Sequence, residues 1–301
     1  MAQLIGLDIG RGYSKAFSIY KNIERECMFK SITALGRDID LSKHEDAIYI
    51  EYQGKELFIG TLAEKEGDTP THNLRDDKTT PVVKNLIAAA LEKIAIEDKV
   101  KVMLGVPNKM FKRSEREKIQ KEYKGKRFVV KNKITGATKT ITIENIDIFR
   151  EGDAALFWHT KDREELTKPF GMATIGFRTL EMAYYDTNFE FNDKKSKTME
   201  LGNKDALEYV QRRLVDDKGI MKELYEIDSS NNYDNYKKMA YESIAERLEI
   251  ELENAWVNLD EMEIAIAGGT SLNLENLNFK VIEDAQMATA KGLWYVAEEI
   301  M

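Results

Sequence analysis

The chain has a single cysteine, Cys27, in 301 residues. No internal disulfide can form, and so little cysteine fits a reducing compartment. Histidine is nearly as scarce: His44, His72 and His159 stand far apart, without the paired spacing that zinc sites use. No apolar run approaches the ~20 residues that a membrane span needs, so no membrane partner is expected. The N-terminus leads straight into an apolar strand, without a basic region and apolar leader, which predicts a cytoplasmic protein. An excess of positive charge is also missing. Lys and Arg number 45 against 53 Asp and Glu, for a net charge of -8, so direct binding to nucleic-acid phosphates is not expected. Residues 109–127 are locally basic but alternate with Glu115, Glu117 and Glu122, the pattern of a solvated helix face. Residues 293–301 lack the Lys/Arg-rich polar face of an amphipathic membrane anchor and read as a packed terminal helix.

What is there is enough to fill a core: 43% of the residues are hydrophobic, over a length that suits two domains. The most informative stretch is Leu4-Ile-Gly-Leu-Asp-Ile-Gly-Arg-Gly-Tyr-Ser-Lys15. It reads as an apolar strand ending at an acid, a tight glycine turn, and a returning strand. Such a turn lays backbone N–H groups along a polyphosphate. Asp8 would then face a metal ion and Lys15 the phosphate oxygens, with the backbone of Gly10, Arg11, Gly12, Tyr13 and Ser14 forming the cradle.

Residues 3–9 and 14–20 are predicted as a hairpin. Residues 27–75 read as short strands and loops, with alternation at 47–52 and 56–59 around Gly54. Pro81 opens a helix, supported by Val83, Ile87, Ala90, Leu91 and Ile94 at helical spacing. A strand over 99–104 leads into Gly105-Val106-Pro107, followed by a charged helix over 111–123. Segments 127–131 and 139–143 flank a Thr135-Gly136 turn. A separate short strand is predicted at 146–149 and a helix at 153–158. The charged connector 161–169 marks a domain boundary. Beyond it come strands at 172–175 and 180–185, helices at 206–214 and 236–256, a strand at 263–267, and a closing helix at 285–300. Residues 217–234 read either as a loop or as a short helical insertion.

The two halves rhyme. Ile175-Gly176 follows an apolar strand as Ile9-Gly10 does, and each turn then carries an arginine (Arg11, Arg178) and a hydroxyl (Ser14, Thr179). Two such hairpins could grip a phosphate chain from opposite sides.

In this order and spacing the residues resemble the actin-like ATPase superfamily, and within it the ParM-like plasmid-segregation actins. Asp8, Gly10 and Lys15 match the first phosphate hairpin of that family. Glu151, in Phe-Arg-Glu-Gly-Asp-Ala-Ala-Leu-Phe, stands where ParM-like proteins carry the residue that orients the attacking water. Ile266-Ala-Gly-Gly-Thr-Ser271 resembles the adenosine motif, and Gly202 resembles the glycine that approaches the nucleoside. Gly105-Val-Pro107 and Gln286-Met-Ala-Thr-Ala-Lys-Gly292 resemble two further segments of the ParM branch.

The resemblance implies an α/β, actin-like (ribonuclease H-like, duplicated) two-domain fold with nucleotide in the interdomain cleft. Residues 1–165 would form the first domain, with an insertion at about 27–75. Residues 166–301 would form the second, with a helical subdomain at about 203–260 and a last helix that packs back towards the first. The implied catalytic residues are Glu151 and Asp8. Gly10 to Lys15 with Gly176, Phe177, Arg178 and Thr179 would bind phosphates. Gly202, Gly268, Gly269, Thr270 and Ser271 would bind the nucleoside. Magnesium would sit at Asp8 through water, and the ligand would be ATP or GTP. The implied function is a filament-forming ATPase that segregates plasmid DNA through a DNA-binding adaptor of the ParR type. The alternatives are a nucleotide-binding scaffold with weak or no hydrolysis, and a small-molecule kinase of the same superfamily. The kinase reading lacks a candidate base for an acceptor hydroxyl. One departure bears on hydrolysis: the second hairpin begins with Thr174 where the family carries Asp, leaving Asp8 as the sole carboxylate of the two hairpin turns.

Overall fold

Each half of the chain begins with an apolar strand folded back by a glycine-bearing turn, and each builds a sheet of one design. The protein is described by a computed structural model covering residues 2–301. The chain divides into two units, one running through Trp158 and including Thr289–Met301, the other His159–Ala288.

In the first unit, β1 (Gln3–Ile9), β2 (Tyr13–Tyr20) and β3 (Ile23–Lys30) form an antiparallel meander in which Asp8 lies opposite Lys15. A run of small elements follows: β4 (Ile32–Leu35), β5 (Ile48–Tyr52), β6 (Lys55–Ile59), α1 (Thr61–Glu66) and β7 (Thr71–His72). Helix α2 (Pro81–Ile94) begins at Thr80, whose hydroxyl accepts the Val83 amide, with Pro81 in the first turn where no N–H is needed. Next come β8 (Lys99–Val106), α3 (Arg113–Tyr123), β9 (Arg127–Asn132), β10 (Thr138–Arg150) and α4 (Glu151–His159).

These strands make a ten-stranded sheet in the order β3-β2-β1-β8-β10-β9-β5-β6-β4-β7. The segments expected as two strands, at 139–143 and 146–149, are one strand. Its register shifts between Ile143 and Asn145, a bulge that breaks the alternation without ending the pairing.

In the second unit, β11 (Phe170–Ile175), β12 (Thr179–Tyr185) and β13 (Lys197–Glu200) repeat the meander. Then follow α5 (Asn203–Lys218), α6 (Leu224–Asp228), α7 (Asp234–Ala255), β14 (Glu263–Ala267) and β15 (Lys280–Val281), after which α8 (Ala288–Ile300) belongs from Thr289 onward to the first unit. Helix α5 stops at Gly219, which is left-handed at φ 63°. Within 217–234 the short α6 replaces a plain loop. The sheet order is β13-β12-β11-β14-β15. It repeats β3-β2-β1-β8-β10 strand for strand: two antiparallel pairings, then two parallel ones. This is the duplicated actin-like α/β architecture.

Alternation along the strands decides what each face meets. Ile5, Leu7 and Ile9 are fully buried in a cluster with Leu86, Ile87 and Leu91 of α2 and with Val100, Val102 and Leu104 of β8. Gly6 and Asp8 point to the other face, where Gly6 lies under α8. A Cβ at Gly6 would lie 2.3 Å from the Ala290 carbonyl oxygen. In the second unit Ala173, Ile175, Leu180 and Met182 pack with Leu207 and Val210 of α5 and Leu248 and Leu252 of α7. Thr174 therefore occupies the face that Asp8 occupies in the first unit.

Helices α4 and α8 meet closely on the Asp8 face of the first unit. A Cβ at Gly292 would lie 1.7 Å from the Ala154 carbonyl oxygen, so no side chain fits there without parting the helices. Gly292→Val is expected to lower the unfolding free energy by about 3 kcal/mol, read as the midpoint of urea denaturation. An unchanged midpoint would contradict this packing.

Candidate functional site

The first turn is held by its own backbone and by the segment before α2. The Gly10 amide donates to the Tyr13 carbonyl at 3.1 Å, and the Gly12 carbonyl accepts the Ser31 amide at 2.9 Å. The Asn73 side-chain amide reaches the Gly10 carbonyl at 3.0 Å. At the mouth of the turn, Lys15 Nζ lies 3.0 Å from Asp8 Oδ2. Asp8 is only 6% exposed, so this carboxylate is held close to its cation with little room for bulk water. Opposite-strand residues of an antiparallel pair share a face, which is why Asp8 and Lys15 meet.

Three of the expected phosphate contacts have other partners. The Gly10 amide is engaged within the turn. Ser14 is fully buried, and its hydroxyl lies 2.9 Å from that of Ser31. The guanidinium of Arg11 pairs with Asp76, which Lys109 also contacts at 2.8 Å. Its second terminal nitrogen is buried without a hydrogen-bond partner.

Glu151 follows β10 directly and opens α4, where the helix dipole favours a carboxylate. Gly105 of β8 makes room for it. A Cβ at Gly105 would come within 2.9 Å of Glu151 Cγ, so the Gly105-Val106-Pro107 segment has a steric reason for its glycine. Glu151 Oε1 accepts from Lys78 Nζ at 2.8 Å, and the same ammonium donates to the Ile9 carbonyl at 2.8 Å. Lys78 is 3% exposed, while the Glu151 side chain keeps 19% of its surface. Burial pushes the Glu151 carboxyl above the usual carboxylate range, and Lys78 pulls against that rise.

In the second unit three glycine turns converge. The Gly176 amide donates to the Thr179 carbonyl at 2.9 Å, closing the turn as in the first unit. The Gly176 carbonyl accepts the Asn203 amide at 3.2 Å and the Thr270 hydroxyl at 2.7 Å. The Phe177 carbonyl accepts the Lys204 amide at 2.8 Å. A Cβ at Gly202 would stand 2.5 Å from the Gly176 oxygen, and one at Gly268 would stand 2.2 Å from that of Ile175. Gly268 also has φ 93°, a backbone that only glycine adopts without strain. Gly269 opens a short 3-10 turn, Gly269–Asn273, beside the Gln286 side chain. Within that turn the Ser271 hydroxyl donates to the Gly268 carbonyl at 2.7 Å. Thus Gly176, Phe177, Thr179, Gly202 and Gly268 to Ser271 belong to one cluster. The Thr270 and Ser271 hydroxyls brace it from within. Arg178 pairs with Glu200 of β13.

The Thr174 hydroxyl is buried and has no hydrogen-bond partner, and the residue is 9% exposed. Directly across from it in β12 stands Glu181, which is buried and accepts from the Thr198 hydroxyl at 2.9 Å. Glu181 thus holds the position that Lys15 holds opposite Asp8.

Other chemistries find little support among the described residues. No group of three or more His, Cys, Asp or Glu is arranged to hold a metal ion. Burial pushes the Cys27 thiol up to about 12, so it is no nucleophile at neutral pH. No helix is long and apolar enough to cross a membrane.

The doubled sheet and its two turns define the class: an actin-like fold. The family described as actin-like proteins N-terminal domain matches residues 6–152. No curated protein sequence matches the chain. Among solved structures, an archaeal actin homolog, Ta0583, in complex with ADP is similar at 19% identity and TM-score 0.81, covering 99% of each chain. The subunit of a 15-stranded ParM filament from Clostridium botulinum is similar at 19% identity and TM-score 0.84, again covering 99% of each chain. The apo ParM protein of psk41 is similar at 16% identity and TM-score 0.72, covering 99% of this chain and 98% of that one. At these identities the likeness to solved structures is one of fold. Residues 6–152 thus match the actin-like N-terminal domain family, and over the whole chain the likeness is one of fold.

Sequence reasoning missed Lys78, Asn73 and Glu181. The first two lie in a polar stretch that reads as an ordinary loop. Glu181 reads as an ordinary strand residue, and its place opposite Thr174 follows from the hairpin register.

Ser14→Ala removes a buried hydroxyl and leaves that of Ser31 unanswered. The unfolding free energy is expected to fall by about 1 kcal/mol, measured by urea denaturation, and Ser14→Ala with Ser31→Ala should recover part of it. A stable single variant would refute the buried pairing.

Proposed function

We propose that the chain binds and hydrolyses a nucleoside triphosphate, ATP or GTP, and that the nucleotide governs assembly of its copies into a polar filament. The observation that carries this reading is the buried Asp8–Lys15 pair at a glycine turn, with the Glu151 carboxylate held beside the same turn. A carboxylate, a cation and turn amides at one strand end suit a magnesium–polyphosphate group. Lys15 and the remaining amides of Gly10 to Ser14 neutralise phosphate oxygens. The turn at Gly176 to Thr179, braced by Gly202 and by Gly268 to Ser271, is the second unit's own phosphate turn, with backbone for the nucleoside at the latter two turns. The bracing fixes this backbone in advance, which suits transition-state stabilisation by fixed dipoles.

Asp8 would hold a magnesium ion through water, and that ion would supply charge neutralisation at the phosphates. Thr174 brings a hydroxyl with no partner in the protein, a group able to hold a water. Glu181 brings a carboxylate to the same face, where the usual first-strand acid is absent. Glu151 orients the attacking water and accepts its proton. Burial raises its basicity towards what that role needs.

The filament half of the proposal rests on fold similarity to a ParM filament subunit. An acidic chain then reaches DNA through an adaptor of the ParR type, and plasmid segregation in the cytoplasm is the role we assign. A scaffold that binds nucleotide without hydrolysis is the competing reading, favoured by Thr174 alone.

Pelleting and phosphate release with magnesium and each triphosphate test the proposal. Wild type is expected to pellet with ATP or GTP and to release phosphate. Glu151→Gln is expected to pellet equally while releasing phosphate about 10²-fold more slowly. Wild-type phosphate release from the variant would remove Glu151 from the mechanism. Nucleotide binding without any release would establish the scaffold.

A further inference from the structure

Lys78 belongs to no motif that points to the nucleotide, yet its ammonium is buried and joins two parts of the site. It donates to the carbonyl of Ile9, the residue after Asp8, and to Oε1 of Glu151, each at 2.8 Å. Burying a lysine is costly unless it is paired and hydrogen-bonded, and here one partner is the proposed catalytic Glu151 and the other the backbone between Asp8 and the glycine turn. The lysine is itself fixed from the far side: its backbone carbonyl accepts the Tyr123 hydroxyl at 2.5 Å, and Tyr123 is fully buried on α3. Two residues later, the capped start of α2 at Thr80 anchors the segment again. The Glu151 side chain is confined on its other side by the backbone of Gly105.

We propose that Lys78 is the positioning residue of Glu151. One carboxylate oxygen is tied to Lys78, and the other is thereby aimed at the water that attacks the phosphate. Because the same ammonium is bonded to the end of β1, the distance from Glu151 to the phosphate turn is fixed by one side chain rather than by two loops. Lys78 acts through Glu151 and does not bind the nucleotide. This assignment rests on the hydrolase reading given above.

The decisive comparison is a double-mutant cycle on the full chain. Nucleotide affinity is followed with a fluorescent nucleotide analogue, and phosphate release in single turnover at saturating nucleotide. Lys78→Met is expected to slow phosphate release by about 10²-fold, the cost of misplacing a reacting group by about an ångström, with affinity essentially unchanged. Lys78→Met in the Glu151→Gln background should slow release no further, because the side chain it orients is already disabled. Lys78→Arg, which keeps the charge and the donors, should restore much of the rate. Thermal melting identifies the folded variants, and Lys78→Gln replaces Lys78→Met if the latter does not fold.

A Lys78→Met variant that hydrolyses at the wild-type rate overturns the assignment alone. A loss of affinity with an unchanged rate at saturation overturns it in favour of direct phosphate binding. Additive losses in the double variant overturn it in favour of a role independent of Glu151. A wild type that releases no phosphate overturns the hydrolase reading, and this assignment with it.

Discussion

The first unit is organised around a buried cation at the end of its first strand. The Ile9 carbonyl lies where β1 gives way to the glycine turn, and the Glu151 carboxylate lies where β10 gives way to α4. Both points need a donor, and Lys78 answers both. Without it, a carboxylate whose burial already raises its proton affinity would sit unanswered beside the Asp8 charge. The β1–β8–β10 parallel core brings the strand ends together, and the lysine makes their proximity tolerable.

The second unit solves the same problem with backbone instead of charge. Its turn at Gly176 is fixed by Thr270, by the Asn203 and Lys204 amides, and by the close approach of Gly202 and Gly268. The two halves share a strand order and differ in what tightens the turn. The first uses long polar side chains from the segment before α2. The second uses glycines that let three backbone segments touch. Duplication of the sheet therefore did not carry duplication of the supporting chemistry.

Much of this was legible in the residues. The hairpin from Asp8 to Lys15 announces itself by an apolar run, glycines and a return, and α2 by Pro81 and its apolar spacing. The actin-like class followed from the order of these pieces. Strand β3 was obscure because it lies at the sheet edge, where Glu24, Arg25 and Glu26 occupy consecutive exposed positions and no alternation survives. Strand β10 looked like two because a bulge interrupts its period. Lys78 was unreadable for a different reason. A lysine between Asp77 and Thr79 looks solvated, and its meaning comes from partners 69 and 73 residues away. The Ser14 hydroxyl illustrates the converse: its place in the turn pattern suggested a ligand contact, while the pleat turns it inward to Ser31.

The continuity of β10 has a mechanical side. Its first residues pair with β9, which in turn pairs with β5, and its last residue abuts Glu151. Thirteen residues of strand extend about 40 Å, bonded along most of their length to β8 and β9 and therefore stiff. From β9 to the foot of α4 the strand has one irregularity, the register shift between Ile143 and Asn145. The strand that pairs with β9 at one end and the Glu151 carboxylate at the other are thus parts of one continuous hydrogen-bonded element.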